Sequence, residues 1–266
     1  MTVTTRRVLA ALLVWSMAAA WPAQAETRPV LRVGTGHWAP YVEQSAADGG
    51  ALVRLLRAVL AEAGYDMKLS YYPWDRNILL LRQGQLDLLL PYSCGPQRLV
   101  YALCSDPLTY GEMVLFHHRS QSLDWQAIND LKGLRIGTTL GYSYGETFDR
   151  AVEAGELTTE VGRNEETSFR LLAYRRLDAY VQDRAVGYHT LRQMAPIENV
   201  YELTHHARPI NREALRVMAR RDDPDAQTII NRINTVLARL MEAGDLERLQ
   251  QALNQGEAAS WQPGRR

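Results

Sequence analysis

One phrase occurs twice in this chain, and it constrains the fold more than any other feature. Leu31-Arg32-Val33-Gly34-Thr35-Gly36 returns as Leu134-Arg135-Ile136-Gly137-Thr138-Thr139. Each copy is a short β-prone run that breaks into a loop at glycine. Each is followed by a helical pattern and then by a second matched phrase. That phrase is Gln85-Leu86-Asp87-Leu88-Leu89-Leu90 in the first half and Arg176-Leu177-Asp178-Ala179-Tyr180-Val181 in the second. Matches in the same order, each inside a βα alternation, predict two lobes of similar build.

Periodicity supplies the elements between these phrases. Leu52, Leu55, Leu56, Val59, Leu60 and Ala63 recur at three and four, with Gly64 as a stop, and so predict a helix. Ala226, Ile229, Ile230, Ile233, Val236, Leu237 and Leu240 predict another, closed by Gly244. Buried strands are expected at Val30–Thr35, Leu86–Leu90, Leu134–Thr138, Ala179–Gln182 and Leu215–Ala219. Strands alternating with helices imply an α/β fold of mostly parallel sheets covered on both faces. Such sheets hold ligands at the carboxyl ends of their strands, where loops meet helix N-termini. A cleft between the lobes, lined by the glycine-bearing loops, is the expected functional surface.

The N-terminus predicts export. Arg6 and Arg7 precede an apolar run from Val8 to Ala20, and Ala23-Gln24-Ala25 is a small-x-small cleavage pattern. Residues 1–25 are therefore expected to be a signal peptide, with the mature chain exported and starting near Glu26. The run is short for a membrane span and Pro22 ends it. Full-length charge is balanced, 30 basic against 30 acidic residues. Losing Arg6 and Arg7 leaves 28 against 30, which offers no footprint for nucleic acid. Cys94 and Cys104 are close enough to bridge a short loop in an oxidising compartment. The disulfide is expected because an unpaired exported thiol is a liability; two buried thiols are the alternative. No metal site is expected, since two cysteines without histidines at ligand spacing fall short of four ligands. No cofactor is expected either.

The order of several phrases resembles a known family. Trp38-Ala39-Pro40-Tyr41, Gly84-x-x-Asp87, Pro96-x-Arg98, Ser105-Asp106-Pro107, Leu131-Lys132-Gly133 and Asn234 ahead of Gly244 stand as they do in family 3 of the bacterial extracellular solute-binding proteins. These are the polar amino-acid-binding components of ABC importers. The resemblance covers the whole mature chain. It implies a two-lobed periplasmic binding protein fold (type II). Residues 26–115 and 211–254 would form lobe 1, 116–210 lobe 2, and 255–266 a flexible tail. It further implies a monomer that closes by a hinge on a small ligand, an amino acid or related carboxylate, and delivers it to an inner-membrane ABC permease.

The resemblance also implies roles for particular residues. Arg98 would grip the ligand α-carboxylate, a task that suits a planar fork of donors; the alternative is a solvated arginine on a short helix. Ser93 lies where a hydroxyl or backbone contact is expected. Asp183 matches the acidic residue that receives the ligand α-ammonium, with a helix N-cap as the alternative. Trp38 takes the aromatic platform position, and Tyr41 is a second candidate of that type. Gly141-Tyr142-Ser143 precedes a helix and brings Ser143, with Tyr142 beside it, to where a carboxylate is held. Trp74 and Arg76 either reach the cleft or begin a surface helix. Gly36-His37 and Gly49-Gly50-Ala51-Leu52-Val53-Arg54 stand where binders of basic amino acids carry acidic residues, which argues against a basic ligand.

Two rivals come from other classes. The same fold resembles periplasmic cyclohexadienyl dehydratases, which need a general acid in the cleft; His37 and Glu43 are the residues to consider, without a motif. A sensor that reports its ligand to a membrane partner is the second. His117-His118 and His205-His206 are not chelates by themselves, since adjacent strand side chains point to opposite faces.

Overall fold

A computed structural model describes residues 28–194 and 199–264. The expected leader, residues 1–25, lies outside the described residues. Among those residues no helix is long and apolar enough to cross a membrane.

The first half of the chain runs β1 (Val30–Thr35), α1 (Ala51–Glu62), β2 (Asp66–Tyr71), α2 (Trp74–Arg82), β3 (Leu88–Tyr92), α3 (Pro96–Leu99) and β4 (Ala102–Cys104). A long strand, β5 (Thr109–His118), leads into the second half. There follow β6 (Ile136–Thr139), α4 (Glu146–Glu153), β7 (Thr159–Gly162), α5 (Glu165–Ala173), β8 (Ala179–Asp183), α6 (Arg184–Gln193) and β9 (Leu203–His205). The chain returns through β10 (Asn211–Arg220) and ends in α7 (Ala226–Glu242) and α8 (Asp245–Gln255). Strand order is β2-β1-β3-β10-β5-β8-β6-β7, a mixed α/β arrangement in two lobes. The expected mostly parallel pairing holds for β2-β1-β3 and for β8-β6-β7. β5 and β10 run antiparallel to their neighbours because they carry the chain between the lobes.

The repeated phrases have a physical cause. Arg32 bonds Asp87 through its backbone N–H (2.7 Å) and Nε (3.0 Å), while Nη2 reaches Asp87 Oδ1 and the Gly84 carbonyl. Arg135 repeats the pattern on Asp178 at 2.8 and 3.1 Å, with Nη2 reaching Asp178 Oδ1 and the Arg175 carbonyl. Each arginine therefore ties the opening strand of its lobe to the turn before the next parallel strand. Gly84 and Arg175, which present those carbonyls, both sit at positive φ (70° and 57°).

Hydrophobic periodicity places the core. α1 buries Leu52, Leu55, Leu56, Val59 and Leu60 completely, against β1, β10 and α7. Gly50 begins that helix at φ 95°, and a Cβ there would meet the Glu43 backbone N at 2.7 Å, so only glycine fits. In the second lobe Phe116 lies edge-on to Phe169 (5.1 Å), and a separate core gathers around Leu115, Trp125 and Phe148.

The tail after Gln255 differs from expectation. Ala258 and Trp261 are buried in the first lobe's core. Arg54, only 9% exposed, donates from Nε to the Trp261 carbonyl (3.1 Å) and from Nη2 to the Ala258 carbonyl, while Nη1 meets Asp48 (2.6 Å). Burying an indole and an aliphatic-stemmed guanidinium stabilises this segment, which polar composition alone does not reveal.

Candidate functional site

A cleft with a volume of about 180 Å³ opens between the lobes. An apolar cavity of about 150 Å³ accommodates benzene, so this space suits a solute of amino-acid size. Trp38, Trp74, Tyr92, Ser93 and Arg98 line it from the first lobe, and Gly141, Tyr142 and Ser143 from the second. Met113 of β5 and Glu213 and Leu215 of β10 line it where the two lobes join.

The first wall is aromatic and rigid. The loop after β1 turns back so that Trp38 and Val42 exchange backbone hydrogen bonds at 2.8 and 3.0 Å. The Trp38 ring stacks on Tyr41 with centroids 4.5 Å apart. Trp74 opens α2 and packs on Gly36, where a Cβ would come within 2.7 Å of the indole. Tyr92 donates its hydroxyl to the Trp74 carbonyl (3.0 Å), and burial pushes its pKa above the usual phenol range, so it stays neutral.

Arg98 sits on α3, a single turn that Gly95 and Pro96 begin. Its Nη1 donates to the Ser93 carbonyl (2.9 Å) and hydroxyl (2.7 Å), and its guanidinium lies over the Tyr92 ring at 5.3 Å. Nε and Nη2 have no protein partner among the described residues, and no carboxylate pairs with this arginine there. The Cys94–Cys104 disulfide, with Cα atoms 6.5 Å apart, ties this turn to β4. A guanidinium braced this way, with Nε and Nη2 unpartnered among the described residues, has the donors to hold a planar anion.

The opposite wall is internally braced. Ser143 Oγ donates to Asp149 (2.6 Å) and Tyr142 Oη to Glu165 (2.6 Å). Burial, with Glu165 beside it, holds Tyr142 well above its ordinary pKa. Both hydroxyl protons are thus committed inside the second lobe.

Three expected site residues lie elsewhere. Asp183 is fully buried and does not line the cleft. Its oxygens accept from Tyr41 Oη, from Glu112 N (3.0 Å), and from Ala185 N and Val186 N at the start of α6 (2.9 and 3.1 Å). In this conformation the N-cap alternative describes it, and its oxygens do not face the cleft. Burial pushes its carboxyl up to about 6 despite those donors. Tyr41 is likewise buried, beneath Trp38. Arg76 is exposed on α2, outside the cleft.

Sequence reasoning passed over Asp75 and Glu213, the two carboxylates that line the cleft. Asp75 stands between the two α2 residues that were considered. Glu213 precedes Leu215 by two positions on β10, and the strand period of two puts both on one face. That alternation was the available signal.

The sequence matches the bacterial extracellular solute-binding proteins, family 3, over residues 31–254. The chain belongs to that family. No curated protein matches it in sequence at a significant level. Among solved structures, this family 3 protein is similar to a histidine kinase sensor domain with similarity to periplasmic binding proteins. That match has 21% identity and a TM-score of 0.68, covering 88% of this chain and 96% of that one. It is also similar to the GluR0 ligand-binding core in complex with L-glutamate, at 16% identity and TM-score 0.71, covering 85% and 99%. An ancestral amino acid-binding protein, described as a precursor of cyclohexadienyl dehydratase, matches at 21% identity and TM-score 0.64 over 84% and 94%. At these identities the likeness establishes the two-lobed fold.

Proposed function

We propose that this family 3 protein is exported to the periplasm, with residues 1–25 removed, and captures a small amino acid or related carboxylate in the cleft. Residues 26–115 and 211–254 act as one lobe and 116–210 as the other. They close about β5 and β10, and the monomeric loaded protein delivers its ligand to an ABC permease. The observation that carries this reading is Arg98, which is braced by Ser93 and Tyr92 and keeps Nε and Nη2 without a protein partner among the described residues. A carboxylate in that position completes the guanidinium's donors, and contacts to both walls at once favour the closed state. Capture without turnover is part of the proposal: prephenate and arogenate incubated with the protein are expected to persist.

Likeness over 88% of this chain to a histidine kinase sensor domain favours a second reading, in which the loaded protein signals to a membrane partner. Both readings share the capture step. A thermal-shift screen of the mature protein against amino acids and small carboxylates tests that step. A ligand at about 100 times its Kd stabilises the fold by about 2.7 kcal/mol; no shift with any compound contradicts the proposal.

A further inference from the structure

We propose that Glu213, mounted on the hinge strand β10, receives the positively charged group of the ligand whose carboxylate meets Arg98. The cleft then selects a zwitterionic or cationic carboxylate over a dianion. This rests on the reading of the cleft as the ligand site.

The β5–β10 register separates two glutamates with different fates. Arg212 pairs with Glu112 and Glu213 with Gly111. Directly opposed residues of an antiparallel pair project on the same face, and successive residues alternate. Glu112 is neutralised on its face by Arg184 Nη1 at 3.0 Å and Arg212 Nε at 3.6 Å. Glu213 faces the other way, with Met113 and Leu215, into the cleft.

No cation stands opposite it. Its cross-strand partner is Gly111, which presents no side chain, and a Cβ there would crowd Asp183 Oδ2 at 3.0 Å. The cleft therefore holds Arg98 with two carboxylates, Asp75 and Glu213, none in an ion pair among the described residues. The carboxylate of Asp183 already accepts from four donors. When closure expels water, a dianion on Arg98 adds repulsion against Glu213, whereas an ammonium or guanidinium pairs with it. Glu213 is favoured over Asp75 because it sits on β10, one of the two strands about which the lobes close, so closure displaces it least.

The test uses the mature protein, its Glu213→Gln and Arg98→Ala variants, and calorimetric titration with the standard amino acids, succinate and malate. Glu213 is exposed and has no partner among the described residues, so Glu213→Gln should keep the wild-type urea midpoint. The proposal expects wild type to prefer its best amino acid over succinate and malate. It expects Glu213→Gln to weaken that amino acid by about tenfold or more. A smaller loss, or tighter binding of a dianion by wild type, overturns it. If Arg98→Ala abolishes binding while Glu213→Gln has no effect, the Glu213 inference falls and the cleft reading stands. If Arg98→Ala retains full binding, or no compound binds wild type, both fall.

Discussion

Tyr41 donates its hydroxyl to the buried carboxylate of Asp183, 3.1 Å from Oδ1 and 3.2 Å from Oδ2, and so joins the loop after β1 to the first turn of α6. One residue lies in each half of the chain, 142 positions apart. The pair forms a brace behind the Trp38 platform rather than part of the cleft wall. Removing the donor leaves the buried carboxylate with three donors, all backbone N–H groups, instead of four. Tyr41→Phe is expected to lower stability by about 1–3 kcal/mol, read from the urea midpoint. An unchanged midpoint would show that the brace contributes nothing.

Asp183 also makes stability depend on pH. Its carboxyl is raised from 3.8 to about 6 because burial disfavours the charge more than its donors favour it. A raised folded-state value means that the folded chain holds this proton more tightly than the unfolded chain. The contribution is fully present below about 4 and is lost as pH rises through about 6. Wild type should therefore lose on the order of 3 kcal/mol relative to Asp183→Asn between those limits, at about 1.4 kcal/mol per unit. The comparison is the difference between their urea-derived stabilities across pH 4–7; a flat difference contradicts it.

The Cys94–Cys104 bridge closes a loop with a sequence separation of 10 that contains Arg98. Loop-closure entropy for that length predicts a stabilisation of about 2–3 kcal/mol. Reduction should lower the urea midpoint accordingly and weaken ligand binding, because the bridge ties the Arg98 turn to β4. Binding unchanged after complete reduction would show that α3 is positioned without it.

Arg54 is predicted to hold the C-terminal segment. Arg54→Ala leaves the Ala258 and Trp261 carbonyls without their donor and removes a packed stem, for an expected cost of about 2–4 kcal/mol. Limited proteolysis should then cut after Gln255 at protease levels that leave wild type intact. Equal resistance would mean that Trp261 packing alone secures the segment.

Much of the architecture was legible because its causes are local. The Arg32–Asp87 and Arg135–Asp178 ties are written into the two repeated phrases, and β1 spans Val30–Thr35 as its pattern predicts. The α1 and α7 rows were equally plain, since a buried stripe must recur at three and four. The site was harder to read, because which face a residue presents depends on contacts distant in sequence. Trp38, Trp74, Ser93, Arg98, Tyr142 and Ser143 come together at the cleft, but Asp183 was read as a strand-end acceptor. Nothing near it in sequence reveals that Tyr41 covers its oxygens. The tail was misjudged for the same reason: Arg54, far upstream, determines where Trp261 lies.

The most direct test of the account is to titrate wild type and Arg98→Ala with the tightest ligand from the screen. Losing a charge-assisted anchor for a ligand carboxylate should weaken binding by at least about 2 kcal/mol, roughly 30-fold, with little change in the variant's own urea midpoint. Wild-type affinity retained in Arg98→Ala would contradict the assignment of this cleft as the capture site.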